Sequence, residues 1–211
     1  MPAPFFSILM PTYNRAGLLD RAIGSVLAQI EQDWELLITD DGSTDGTWPV
    51  LCDWRRSDRR ITCWRHANRG QAASRNAMLA RARAPWIVFL DSDDEFALGH
   101  LARHRRAIEA SPEVDLWLSP MRVVGSPLVP CMHDAAHLIH IDACIGVGML
   151  AIRREVILAA GGFPDVAYGE ESALMDRLVA SGVRLARLQE RSYVYHRGHA
   201  DSITLNRAQC G

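Results

Sequence analysis

The chain has 211 residues, of which 48% are hydrophobic and 23% are charged, a composition typical of a globular protein that buries a full core. The formal net charge is −2 and the isoelectric point is near 6.4, which argues against a nucleic-acid-binding surface. No lysine occurs, and the arginine-rich stretches at 55–69 and 103–106 are better explained as solvated faces than as sites for anionic lipid or a phosphorylated acceptor.

The cysteines and the apolar segments bear on the cellular compartment. The five cysteines are odd in number and have no CxxC spacing, which argues against a disulfide framework and a zinc site. The amino terminus lacks the pattern of a signal peptide, and the longest apolar run, residues 143–152, is well short of the roughly 20 residues that a spanning helix needs. We therefore expect a cytoplasmic protein, soluble or peripherally associated with the inner face of a membrane.

Segments of strand length alternate with segments of helical period through the first half of the chain. The pattern predicts strands over 6–10, 34–39, 61–64 and 86–90, with helices between them around 19–27, 48–56 and 71–83. This alternation predicts an α/β fold in which a mostly parallel central sheet is flanked by helices. Ligands bind such sheets at the carboxyl ends of the strands, where each predicted strand runs into distinctive polar residues.

The second half of the chain has a mixed pattern. It predicts helices over 98–110, 153–160 and 170–181, and strands over 115–119, 186–188 and 193–196. Residues 125–142 are predicted to be rich in loops.

Three carboxylates, Asp91, Asp93 and Asp94, follow directly behind the fourth predicted strand. Like charges repel one another, so their crowding indicates a positive partner such as a divalent metal that carries a phosphate group. An ordinary solvated turn is the alternative, because Asp and Ser are common in loops. All-oxygen ligands and a phosphate partner favour Mg²⁺ or Mn²⁺ over zinc.

Four segments in this order carry a resemblance to a known family: Pro11-Thr12-Tyr13-Asn14-Arg15, residues 40–47 (DDGSTDGT), Asn68-Arg69-Gly70 with Ser74-Arg75-Asn76, and Asp91-Ser92-Asp93-Asp94. Together they resemble the motifs of family 2 glycosyltransferases of the GT-A fold. The resemblance is strong over about residues 5–95 and looser beyond. It implies a single GT-A domain over 1–211, with a nucleotide-sugar half at about 5–95 and a small C-terminal acceptor and base region at about 96–211.

The first two motifs suit the nucleoside of a nucleotide-sugar. Tyr13, which follows Pro11 and Thr12, offers a flat face on which a uracil or similar base can stack. Asp41 can accept hydrogen bonds from the base or from a ribose hydroxyl. A turn and helix cap is the alternative explanation of residues 40–43.

The third motif suits the diphosphate. Gly70, close behind Asn68, exposes backbone N–H groups at a helix start beside Arg75, an arrangement that can bind diphosphate oxygens. A structural role for Arg75 is an equal alternative before the resemblance is considered.

The resemblance assigns roles around the metal. In the family the last carboxylate of the DxDD string binds a divalent metal and the one before it faces the ribose. This implies that Asp94 binds the metal and Asp93 the ribose, with Asp91 in a supporting place in the nucleotide-sugar site. His199, three residues before Ser202, resembles a histidine that reaches the metal or the diphosphate, although a structural histidine is the alternative.

The catalytic base is implied by a motif that opens the helix predicted over 170–181. Gly169-Glu170-Glu171 resembles the Glu-Asp motif of the family, which makes Glu171 the base and Glu170 an acceptor-side residue. Glu171 stands where Asp is usual, and its extra methylene moves the carboxylate by about 1.5 Å. Acids are also favourable in the first turn of any helix. Gly148 and Met149 resemble the border of the acceptor pocket, although small residues also serve tight packing.

The sequence therefore predicts a metal-dependent, inverting glycosyltransferase. It would move a sugar from a nucleoside diphosphate sugar, with UDP the commonest choice in the family, to a hydroxyl of a saccharide or glycolipid in the synthesis of cell-surface polysaccharide or glycoconjugate. Two alternatives stay open. A sugar nucleotidyltransferase would normally need a more basic, Gly-rich loop than residues 11–17, and a nucleotide-sugar-binding scaffold without turnover is suggested by the unusual Glu171.

Overall fold

A computed structural model describes residues 2–130, 137–144, 146–166 and 169–197. The strands are β1 (Phe6–Thr12), β2 (Trp34–Asp40), β3 (Ile61–Arg65), β4 (Trp86–Phe89), β5 (Glu95–Phe96), β6 (Leu116–Leu118), β7 (Met121–Gly125), β8 (Leu128–Pro130), β9 (Leu138–His140), β10 (Leu150–Arg153), β11 (Leu185–Arg187) and β12 (Tyr193–Arg197). The α-helices are α1 (Leu19–Leu27), α2 (Thr47–Ser57), α3 (Gln71–Leu79), α4 (His100–Ala110), α5 (Arg154–Ala159) and α6 (Glu170–Ala180).

A seven-stranded sheet in the order β11-β6-β10-β4-β1-β2-β3 forms the centre of the molecule. All neighbours in it pair in parallel except β10, which runs antiparallel to both β4 and β6. Strands β5, β12 and β7 form a second, three-stranded sheet, and β8 pairs with β9. The predicted α/β architecture with a mostly parallel, helix-flanked sheet is confirmed.

The apolar patterns explain the positions of the strands in the sheet. Every residue of β1 and β2 is buried, as expected for central strands covered on both faces. In the edge strand β3, Ile61 and Cys63 are buried while Thr62 between them is exposed. Helix α1 turns the apolar stripe of Leu19, Ile23 and Val26 towards the core.

Several short strands differ from the sequence prediction. Strand β10 lies inside the main sheet, between β4 and β6, although the sequence marks it only as an apolar run. Strands β8 and β9 lie in the stretch predicted to be loop-rich, and β5 and β7 were not predicted. Strands of two to five residues show too few alternations for a period of two to be recognised.

The parallel strands β1, β2 and β4 bring their carboxyl ends to one edge of the sheet. Thr12 and Asp40 are paired at the ends of β1 and β2, and the Asp41 N–H donates to the Thr12 carbonyl at 2.9 Å. The segments after β1, β2 and β4 therefore leave the sheet side by side, at the edge where ligands bind in this class of fold.

None of the helices in the described part of the chain has the length and apolarity that crossing a bilayer requires.

Candidate active site

Arg75 on α3 lies at the centre of the site, and its side chain is 1% exposed. Its Nη1 lies 3.0 Å from Oε1 of Glu170 and 3.3 Å from Oε1 of Glu171, while Nη2 lies 3.2 Å from Oδ1 of Asp91. Desolvation opposes the charged guanidinium, but the three carboxylates outweigh it and raise the pKa of Arg75. The sequence assigned Arg75 to the diphosphate, whereas in the structure its two terminal nitrogens face carboxylates.

Asp94, the predicted metal ligand, is 1% exposed and points into the protein. Its Oδ2 accepts a hydrogen bond from the Tyr193 hydroxyl at 2.7 Å, and its Oδ1 accepts one from the His196 backbone N–H at 2.8 Å. These contacts anchor the segment after β4 to strand β12. Asp94 therefore does not present an open carboxylate in this structure, because both of its oxygens accept hydrogen bonds from the protein.

Asp93 carries the more open carboxylate of the pair, with a side chain that is 23% exposed. Its Oδ2 lies 3.8 Å from Nε of Arg15, and its backbone carbonyl accepts a hydrogen bond from Arg21. Of the two carboxylates, Asp93 is therefore the more accessible to a ligand, and Asp94 is the one that anchors the segment to β12.

Burial raises the pKa values of three acidic side chains of the site. Burial raises the pKa of Asp91, with Arg75 opposing the shift and Asp93 adding to it. Burial, reinforced by Asp91 and Asp93, raises the pKa of Asp94 well above its ordinary value. Burial also raises the pKa of Glu171, although Arg75 lowers it.

The donor set fits Mg²⁺ or Mn²⁺, because it consists of carboxylate oxygens that lie within one four-residue segment. Within the described ranges, no three His, Cys, Asp or Glu side chains are grouped so as to hold an ion by themselves. Mg²⁺ is commonly held by one or two carboxylates together with substrate phosphates. The residues present therefore fit an ion that binds together with a diphosphate.

The segment after β3 is ordered by Asp41. The Asp41 carboxylate accepts hydrogen bonds from the backbone N–H groups of Arg69 at 2.8 Å and Gly70 at 2.9 Å. Gly70 has a φ of +85°, which a residue with a side chain rarely adopts. The Gly70 N–H, predicted to face the diphosphate, is thus directed to Asp41, while Asn68 is exposed beside it.

The segment after β1 presents the predicted stacking residue. Pro11 and Thr12 are buried within β1, which extends two residues beyond its predicted end. Tyr13 is 44% exposed, so its ring is open to a base. The Asn14 side-chain oxygen accepts the Thr44 N–H at 2.8 Å, which links this segment to the one after β2.

Gly148 and Met149, predicted to border the acceptor pocket, are buried instead. A Cβ added to Gly148 would lie 2.3 Å from Cζ of Tyr193, so the glycine makes room for that ring. Met149 is 4% exposed. The structure supports the alternative explanation for this segment, which is tight packing.

Tyr193 supports the Asp91–Asp94 segment, although the sequence marks it only as part of a strand. Besides donating to Asp94, its hydroxyl accepts the Asp91 N–H at 3.2 Å, and its side chain is fully buried. Arg15 and Arg21 beside Asp93 were also given no role. The position of Arg15 at the end of a recognised motif could have indicated that it belongs to the site, whereas no local sequence pattern indicates Tyr193. His199 lies outside the described residues.

Tyr193→Phe should lower the free energy of unfolding by about 1–3 kcal/mol, because the buried Asp94 carboxylate loses a hydrogen-bond donor. Urea unfolding at neutral pH measures the change. Tyr13→Phe removes the hydroxyl of a ring that is 44% exposed and serves as the control. Equal stability of Tyr193→Phe and the wild type would show that the hydroxyl does not support Asp94.

Comparison with known sequences identifies the family of the chain. Residues 7–129 match the family described as glycosyl transferase family 2. The chain belongs to this family. A glycosyltransferase of Bacillus subtilis (strain 168) named for teichuronic acid biosynthesis is 34% identical over 159 residues, which cover 72% of this family 2 chain and 63% of that protein. The Escherichia coli protein WfaP, named as a UDP-Glc:α-D-GlcNAc-diphosphoundecaprenol β-1,3-glucosyltransferase, is 27% identical over 206 residues, which cover 95% and 80% of the two chains.

Solved structures confirm the GT-A fold predicted for this family 2 chain. S. aureus TarS 1–349 in complex with UDP-GlcNAc has a TM-score of 0.77 at 20% identity, covering 95% of this chain and 60% of that one. The mannosyltransferase PcManGT from Pyrobaculum calidifontis in complex with GDP-Man and Mn²⁺ has a TM-score of 0.71 at 20% identity, covering 96% and 59%. The chain thus spans less than two thirds of the Bacillus protein and of these solved chains.

Proposed function

We propose that this chain carries the catalytic domain of a metal-dependent, inverting glycosyltransferase that moves a sugar from a nucleoside diphosphate sugar to an acceptor hydroxyl. One observation carries the proposal: three carboxylates contact the same guanidinium, that of Arg75. Asp91 comes from the edge of the sheet where the donor would bind, and Glu170 and Glu171 come from the start of α6. A transfer reaction needs a donor-binding group and a base held in fixed geometry next to each other.

The proposed donor is a UDP-sugar. The exposed ring of Tyr13 suits a pyrimidine base, and WfaP is named for a UDP-sugar while the TarS chain was solved with one. PcManGT was solved with GDP-Man, so a guanosine donor belongs in the same test.

In the proposed reaction Glu171 accepts the proton of the acceptor hydroxyl as that oxygen attacks the anomeric carbon opposite the departing diphosphate, which inverts the configuration. Burial raises the pKa of Glu171 despite the opposing effect of Arg75, so its carboxylate binds a proton more readily than an exposed glutamate does. The base works only when it is deprotonated, so activity should decline as the pH falls through the raised pKa of Glu171.

Asp93 would hold Mn²⁺ or Mg²⁺, with Asp91 and Asp94 adding negative charge behind it. When bound, a divalent cation neutralises the charge that develops on a departing diphosphate. Asp94 keeps the segment in place through Tyr193 and His196.

The proposed acceptor is a saccharide carried on a lipid diphosphate, used in the synthesis of a cell-surface polysaccharide or glycoconjugate at the membrane surface. Support comes from the names of relatives. WfaP and a Campylobacter jejuni protein that is 36% identical over 101 residues are both named for undecaprenol-linked acceptors.

Release of nucleoside diphosphate from UDP-Glc, UDP-GlcNAc and GDP-Man tests the proposal, with Mn²⁺, Mg²⁺ or EDTA and with or without an undecaprenyl-diphosphate-linked monosaccharide. We expect release that needs a divalent cation and increases with the acceptor. Asp93→Asn should lose cation-dependent release, whereas Glu155→Gln on the exposed face of α5 should behave as the wild type. Tight donor binding without release under any condition would support a non-catalytic scaffold instead.

A further inference from the structure

Arg75 contacts three carboxylates through its two terminal nitrogen atoms. Nη1 is shared between Glu170 at 3.0 Å and Glu171 at 3.3 Å, and Nη2 is directed to Asp91 at 3.2 Å. These acids come from the segment after β4 and from the first turn of α6, so one guanidinium joins the donor edge of the sheet to the helix that carries the proposed base.

The Arg75 guanidinium is fixed from behind as well as in front. Its Cζ lies 5.3 Å from the ring centroid of Phe163. Phe163 is itself held by Asn76, whose side-chain amide donates to the Phe163 carbonyl at 2.8 Å and accepts the Phe163 N–H at 2.9 Å. With a side chain that is 1% exposed, Arg75 has little freedom to follow a carboxylate that moves away.

The two glutamates differ in their access to a substrate. The Glu171 side chain is 27% exposed and that of Glu170 is 12% exposed, so Glu171 is the more open of the pair while still in contact with Nη1. An aspartate at position 171 would be shorter by about 1.5 Å, one carbon–carbon bond. The Glu171 contact with Nη1 is already 3.3 Å, so a retreat of this size along the contact would take the carboxylate beyond hydrogen-bond distance of Arg75.

We propose that Arg75 is a positioning residue for the base, and that the length of Glu171 is matched to it: the longer side chain lets the carboxylate rest against Arg75 and still face the acceptor. This inference rests on the proposed function. It reassigns Arg75 from the diphosphate to the base, and it makes glutamate a requirement of this chain at position 171.

Steady-state kinetics of Glu171→Asp, with the donor that the wild type turns over, tests the inference. We expect kcat to fall by roughly 10- to 100-fold, because misplacement by about 1 Å can cost that much, with little change in the KM for the donor. Glu155→Asp, which shortens an exposed glutamate in the first turn of α5, should leave kcat and KM unchanged. Circular dichroism and thermal unfolding check that the variants are folded.

Arg75→Lys adds a second arm to the test. A lysine ammonium cannot reproduce the fork of the guanidinium, so kcat should fall by a similar factor. Because both changes act on the same contact, the double variant Arg75→Lys/Glu171→Asp should lose little more than the worse single variant. If Arg75→Lys does not fold, Glu171→Asp carries the test alone.

Two results would overturn the inference while leaving the proposed function intact. One is a Glu171→Asp enzyme as fast as the wild type. The other is an Arg75→Lys enzyme with a raised KM for the donor and effects that multiply in the double variant, which would return Arg75 to the diphosphate. If the wild type releases no nucleoside diphosphate from any donor, the proposed function fails and this inference fails with it.

Discussion

Glu171→Gln should lower the rate of sugar transfer by roughly 100- to 10,000-fold, the range in which a positioned general base contributes. The amide has nearly the shape of the carboxylate but cannot accept the proton of the acceptor hydroxyl. The affinity for nucleoside diphosphate should stay close to that of the wild type, because Tyr13, Asp41 and Asp93 are unchanged. Rates of nucleoside diphosphate release and calorimetric titration with UDP and Mn²⁺ measure the two quantities separately.

Glu170→Gln is the matched control for that experiment. Glu170 contacts the same Arg75 nitrogen at 3.0 Å, so each variant removes one negative charge from the surroundings of that nitrogen. We expect a smaller loss of rate than in Glu171→Gln, because the Glu170 side chain is the less exposed of the two. A larger loss in Glu170→Gln would exchange the roles of the two acids, and a Glu171→Gln variant that kept its activity would place the base elsewhere.

The first half of the fold could be predicted from local pattern because its strands are long and continuously apolar. β1 and β2 are central strands buried along their whole length, and their predicted positions agree with the structure to within two residues. β10 is just as central, yet its four residues sit inside a longer apolar run. This segment is a strand because it pairs with β4 and β6 on either side, and its local sequence does not contain that information.

The site could be predicted as a set of residues but not as a set of contacts. Arg75 and Asp91 were both recognised, yet the partners of Arg75 on α6 lie 95 and 96 residues further along the chain. Asp94 is buried because the Tyr193 hydroxyl reaches it from 99 residues away. Motif resemblance assigns roles by order along the chain, whereas burial is decided by the strand that packs against the motif.

Two buried histidines on α4 make stability depend on pH. The His100 ring stacks on Phe96 at a centroid distance of 4.1 Å, and its Nδ1 lies 2.9 Å from the Ser192 hydroxyl. The His104 ring packs against that of His100 at 4.7 Å. Burial lowers the pKa of His104 from its ordinary value of 6.5 to about 3, so the folded protein holds this ring neutral under mild conditions.

The free energy of unfolding should therefore fall as the pH decreases from 7 to 4. In this window the unfolded chain protonates His104 while the folded chain does not, so protons favour unfolding, by about 3 kcal/mol over the range. The contribution of His104 is complete above its ordinary pKa of 6.5 and declines towards the folded value of about 3.

Urea unfolding at pH 7, 5.5 and 4 compares the wild type with His104→Leu, which has an apolar side chain of similar size that does not titrate. Carboxylates and His100 contribute to both curves, so the difference between them reports mainly on His104. The wild type should lose about 3 kcal/mol more than the variant over this range. His140→Gln, at an exposed position on β9, should follow the wild type. Parallel pH curves for the wild type and His104→Leu would mean that His104 takes up its proton in the folded state, which would require water or a charged group to reach a ring that is 1% exposed here.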